Sequence, residues 1–196
     1  MVKKILIING HPDKESFNAA LAAAYLQGAT GAGAEVKELI LADLQFDPNL
    51  QYGYRKRTEL EPDLLHAQTL IKWADHLVWI HPVWWGSLPV ILKGFLDRAF
   101  LPGYAFKYRD NSVWWDKLLS GRSGRIIYTL DSPDWYYRLV YRKPALHQLK
   151  KMTLEFCGVK PVHTMGLGPV RGSTDNKRQQ WLQQVRKTGA TDAARK

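Results

Sequence analysis

The chain has 196 residues, 45% of them hydrophobic, which suits one domain with a substantial core and leaves no room for a second. Its 28 Lys and Arg against 18 Asp and Glu give a formal charge of +10. That charge favours an anionic ligand or surface, but the basic residues are scattered and fit a solvated face equally well. No nucleic-acid-reading motif is present, the lone Cys157 excludes an intrachain disulfide, and the opening "MVKKILIING" is too short to span a membrane; together these predict a cytoplasmic protein without nucleic-acid binding or membrane insertion.

Along the chain, "KKILIIN" reads as a parallel strand covered on both faces, followed by a loop with Gly10 and Pro12 and a helix from about Ser16. "AEVKELIL" is a second strand, and "EPDLLHAQTLIKWAD" a helix opened by Pro62. "HLVWIHP" is a third strand. After "VWWGS", Ser87 is the expected N-cap of a helix with Pro89 in its first turn. That helix has Val90, Ile91, Leu92, Phe95, Leu96, Ala99 and Phe100 on its apolar face and Lys93, Asp97 and Arg98 opposite. "GRIIYTLD", "KPALHQLKKMTLEFCG" and "KPVHTMGLG" read as strand, helix and strand. A closing helix over 174–190 leads into a tail expected to fray at about 190–196.

Five strands alternating with helices imply a single α/β domain over 1–196. The predicted architecture is a flavodoxin-like doubly wound parallel sheet of order 2-1-3-4-5 with helices on both faces. Long irregular segments are expected at 43–60, 101–124 and 131–142. Ligands of such a sheet sit beyond the strands' carboxyl ends, at the switch point between the first and third strands.

The first of these loops, "NGHPDKESFNAAL", has neither GxGxxG nor a P-loop, so a dinucleotide or triphosphate fingerprint is absent. It offers a helix N-terminus with His11, Ser16 and Asn18. That set suits a phosphate cradle, and ordinary capping by Ser16 accounts for it equally. In the third-strand loop, Trp84 and Trp85 between Pro82 and Gly86 either stack on a planar heteroaromatic ring or cover the next helix. Their place at the switch point favours the ring. Trp135, Tyr136, Tyr137 and Tyr141 follow the fourth strand and suit a flat apolar substrate or a dimer interface. Arg138, Arg142 and Lys143 offer contacts for a dinucleotide phosphate or are simply solvated. No metal-ligand spacing, G-x-S-x-G elbow or catalytic cysteine is visible, as expected where a bound cofactor carries the chemistry.

The stretches "INGHPDKESFNAAL", "PVWWGSLPVILKGFLDRAF" and "GYAFKY", in this order, resemble the NAD(P)H:quinone oxidoreductase family, including its short bacterial members. The resemblance implies flavin contacts from His11, Ser16, Phe17, Asn18 and Ala20 on the phosphate side, and from Pro82, Val83, Trp84, Trp85 and Gly86 along the ring. Trp85 then lines the substrate pocket, with Phe106 and Tyr108 supplied by the partner of a homodimer. The family's Thr-Thr-Gly-Gly after the fourth strand is replaced here by "TLDS". Thr129 and Asp131 stand at contact positions, while the catalytic group is unknown, with Tyr136 or Tyr137 as candidates.

The implied activity is two-electron transfer from NADPH or NADH through FAD, or alternatively FMN, to a quinone, in a ping-pong sequence. Some short members resemble regulatory subunits of glutathione-gated potassium efflux systems. That alternative implies docking to a transporter's cytoplasmic domain, and a flavodoxin-type electron carrier is a third.

Overall fold

The structure is a computed structural model that describes residues 2–53, 55, 56 and 58–195. Five parallel strands form its sheet: β1 (Lys4–Asn9), β2 (Glu35–Ile40), β3 (His76–Pro82), β6 (Ser123–Thr129) and β7 (Val162–Leu167), in the order β2-β1-β3-β6-β7. Counted as parallel strands alone this is the expected 2-1-3-4-5. The continuous apolar runs occupy the centre: β3 is buried throughout, and β1 everywhere after Lys4.

Period-two alternation sends each central strand into two cores. Leu6, Ile8, Leu77, Trp79 and Ile126 face α2 (Pro62–Trp73), α3 (Val90–Ala99) and α5 (Pro144–His147). Ile5, Ile7, Val78, Ile80 and Ile127 face α1 (Phe17–Gly31) and α6 (Asp175–Ala194). The last two helices touch backbone to backbone: a Cβ on Gly28 would lie 1.9 Å from the Arg186 carbonyl oxygen.

Several local expectations are corrected. Segment 101–124 carries an antiparallel hairpin, β4 (Phe106–Tyr108) with β5 (Trp115–Lys117), and 131–142 carries a short helix, α4 (Asp134–Leu139). Ser87 is not an N-cap. Its backbone closes a turn with Trp84, and Pro89 caps the helix instead. Arg98, expected on the solvent face, is buried and donates to the Asp47 and Glu59 carbonyls and to Glu61, 2.7 Å away, which satisfies its guanidinium inside the fold.

The expected fraying at 190–196 does not hold for the described part, since α6 runs to Ala194 and Asp192 is only 1% exposed. Tyr25 donates to Asp192 at 2.9 Å, Arg125 grips it with two nitrogens, and His76 lies 3.6 Å away. Burial opposes ionisation of Asp192, but hydrogen bonds and charge from His76 and Arg125 hold its carboxyl well below the usual range. Among the described residues no helix is long and apolar enough to cross a membrane.

Candidate functional site

The β1–α1 loop is tied down at its start, where the Gly10 amide donates to the Ile80 carbonyl at 2.8 Å and buried Asn9 accepts from the His11 amide at 3.1 Å. His11 Nδ1 accepts from the Asp13 amide at 2.9 Å. Burial lowers the His11 pKa against the opposing pull of Asp13, so the ring is neutral at neutral pH. Ser16 caps α1 by accepting from the Ala19 amide at 3.3 Å, which leaves the Phe17 and Asn18 amides without an acceptor among the described residues.

Asn18 is 3% exposed. Its Oδ1 accepts from the Thr129 hydroxyl at 2.9 Å, while its Nδ2 is buried without a partner. Two predicted contacts 111 residues apart in the chain, one in α1 and one at the end of β6, therefore meet directly. Phe17 packs on Trp181 instead, and Ala20 faces solvent.

Beyond β3, the Val83 amide donates to the Thr129 carbonyl at 2.7 Å, and Trp84 and Ser87 exchange backbone bonds of 3.1 and 2.8 Å. Between them Trp85 (φ +50°) and Gly86 (φ +74°) are both left-handed, as a two-residue primed turn demands. Glycine adopts this freely, whereas a tryptophan there is strained.

The turn sends the two indoles apart. Trp84 meets the His11 ring edge-on at 5.3 Å and lines an apolar groove of about 360 Å³ with Phe46, Pro48 and Pro89. Trp85 is fully exposed and borders a separate cavity of about 550 Å³ with Val83, Leu130, Ser132, Tyr137 and Tyr141. Trp85 covers no helix, so the helix-covering reading fails for it. Pro82 is buried at the end of β3.

The "TLDS" segment takes no left-handed residue, so its glycine-free course is unstrained. The Leu130 amide donates to the Leu167 carbonyl at the end of β7 and its carbonyl accepts from the Val170 amide, and Asp131 accepts from the Arg171 amide at 2.9 Å while lining the cavity. The two tyrosine candidates separate. Tyr137 is buried on the cavity wall beside Tyr128, with no hydrogen-bond partner for its hydroxyl among the described residues. Burial raises its pKa against the nearby Leu146 and Ala145 amides, so it stays a protonated phenol at neutral pH. Tyr136 instead stacks edge-on with Tyr141 and Trp135 outside the cavity.

Phe106 and Tyr108 do not join this cavity. They line another groove with Phe100, Met152 and Phe156, and Tyr108 is exposed. No metal-binding group of His, Cys, Asp or Glu occurs among the described residues. Sequence reasoning missed Asn9 and Pro144. The first was legible as the polar residue ending an apolar strand. The second carries no local signal, because only the return of α5 brings it to the cavity.

A family profile described as "Flavodoxin-like fold" matches residues 3–188. The chain belongs to this flavodoxin-like family. Among curated relatives it is 29% identical to NAD(P)H dehydrogenase [quinone] 1 of Cavia porcellus, over 85% of this chain and 70% of that protein. It is 26% identical to ribosyldihydronicotinamide dehydrogenase [quinone] of Rattus norvegicus, over 94% and 91%. Among solved structures, Smu.1420 from Streptococcus mutans UA159 superimposes with a TM-score of 0.84 at 33% identity, covering 96% of this chain and 99% of that one. The resemblance drawn from "INGHPDKESFNAAL" and "PVWWGSLPVILKGFLDRAF" therefore holds, and this flavodoxin-like chain groups with quinone oxidoreductases.

Proposed function

We propose that residues 1–196 form one flavin-dependent NAD(P)H oxidoreductase domain that passes two electrons to quinones or similar flat acceptors. One observation carries this reading: beyond the carboxyl ends of β3 and β6 a cavity of about 550 Å³ opens beside an exposed, strained Trp85. Strain retained at a side chain that packs against nothing suits a ligand-facing role. The names of the curated relatives agree with it.

The residues fit a flavin. The acceptor-free Phe17 and Asn18 amides at the positive end of α1, with the orphaned Asn18 Nδ2 behind them, are donors suited to phosphate. Residues 82–86 with Thr129 and Asp131 would hold the ring. Bound there, a flavin supplies acceptance of hydride from the nicotinamide and delivery of two electrons to the acceptor. Trp85 and Leu130 exclude water, and Tyr137 Oη holds a proton to donate to the substrate as negative charge develops.

Donor and acceptor use one cavity in turn, which makes the kinetics ping-pong. FAD is favoured over FMN by the "HPDKESFN" match. A second copy of the chain closes the cavity with its Phe106 and Tyr108, supported by exposed Tyr108, Trp114 and Met152 on that surface.

The purified protein is expected to carry, or take up, a flavin whose visible absorption bleaches on anaerobic addition of NADPH. Heat release and mass measurement then identify it. A colourless protein that neither binds added flavin nor oxidises a nicotinamide overturns the proposal.

A further inference from the structure

The cavity beside Trp85 shares a wall with a second concavity of quite different chemistry. Tyr141 and Pro144 line the first, while the intervening Arg142 and Lys143 line a cleft of about 320 Å³ together with His147, Lys150, Lys151 and Thr164. Four basic side chains, Arg142, Lys143, Lys150 and Lys151, line this cleft. The carboxylate paired with them is Glu155, 2.9 Å from Lys151 Nζ and 3.9 Å from Lys150 Nζ. Cations converging in a concave site without matching anions repel one another, and a polyanion relieves that repulsion.

The backbone around the cleft is unusual in two independent ways. Arg142 (φ +56°) and Lys143 (φ +55°) are consecutive left-handed residues without a glycine, a conformation that L side chains adopt at a cost. They are held there because the Lys143 amide donates to the Tyr137 carbonyl at 3.1 Å and its carbonyl accepts from His147 at 2.8 Å, which links the cleft to the cavity wall. Residues Gln148–Glu155 then continue α5 as a π-helix, a widening that recurs at functional sites. Its turn brings Lys150 and Lys151, five and four residues before Glu155, to the same carboxylate and so fixes both ammonium groups along the cleft.

We propose that this cleft binds the ribose 2′-phosphate of the nicotinamide donor and makes the enzyme prefer NADPH to NADH. The inference rests on the flavoenzyme reading above for its choice of ligand. A nicotinamide dinucleotide has its reactive ring at one end and phosphates farther along, which matches an aromatic cavity adjoining a cationic cleft. NADH shares the pyrophosphate, but only NADPH adds a monoester of about −1.5 to −2 charges at neutral pH. Arg and Lys side chains meet such a group with charge-assisted hydrogen bonds.

The test is the double variant Arg142→Gln, Lys150→Gln, both outside the catalytic cavity. Turnover is measured with NADPH, with NADH and with the phosphate-free donor N-benzyl-1,4-dihydronicotinamide. The KM for NADPH is expected to rise about tenfold or more, with under about twofold change for the other two donors. Calorimetry with adenosine 2′,5′-bisphosphate and with AMP gives a readout independent of turnover. The bisphosphate is expected to bind the unaltered protein more tightly, and that advantage to shrink in the variant and at higher salt.

Equal binding of the two nucleotides overturns the proposal. So does an equal rise in KM for NADPH and NADH, which would assign the cleft to the pyrophosphate. If the unaltered protein oxidises no donor, the flavoenzyme reading fails, while the calorimetric comparison still decides whether the cleft selects a 2′-phosphate.

Discussion

Trp85 holds a strained backbone position that no packing compensates. A fully exposed indole at φ +50° contributes no core packing, so Trp85→Ala should change stability by no more than about 0.5 kcal/mol, or roughly 1–2 °C in Tm. Flavin retention or turnover should fall severalfold, and differential scanning calorimetry with a turnover assay separates the two outcomes. His81 lies at the opposite extreme, fully enclosed at the end of β3. Burial, opposed by its hydrogen bond to the Pro82 carbonyl, lowers its pKa from 6.5 to about 4. Above pH 6.5 His81 is neutral whether the chain is folded or not, and its contribution is intact. As pH falls from 6.5 towards 4 the unfolded chain binds the proton that the folded one refuses, and about 3 kcal/mol is lost. Urea titrations across that window should show the decline, and His81→Gln should flatten it.

At the scale of elements, the end of α6 is held by charge rather than by propensity. Asp192→Ala leaves the buried Arg125 guanidinium of β6 without its anion and should cost about 3–5 kcal/mol in chemical denaturation. A tail that merely frayed would lose nothing. The same logic explains Arg98: a charged residue on a helical face reads as solvated until a distant loop folds over it and accepts its protons. Helix and strand identities were legible because 3.6- and 2-residue periods are local properties of the chain. The left-handed Trp85–Gly86 turn was half legible, since Gly86 announced a positive φ and Trp85 did not.

For the whole molecule, the apolar surface around Tyr108, Trp114 and Met152 lies away from the cavity that Phe106 and Tyr108 are expected to complete. The homodimer proposed above would reconcile these placements. Light scattering should return twice the 22.5 kDa chain mass, and Met152→Glu should shift the protein towards monomer with a matching loss of turnover. A monomeric, fully active protein would place the second wall of the cavity within one chain.

By itself the sequence determined the strand order, the switch point and the loops that meet there, because alternating apolar periods admit few topologies and right-handed crossovers select among them. It also marked Asn18 and Thr129 as candidate site residues without revealing that they bond to each other. Only the tertiary structure decided that the two tryptophans diverge, that Tyr137 rather than Tyr136 reaches the cavity, and that Asp192 locks the final helix. Each of these depends on contacts between residues far apart in the chain or on one backbone torsion, and neither leaves a periodic trace in the order of amino acids.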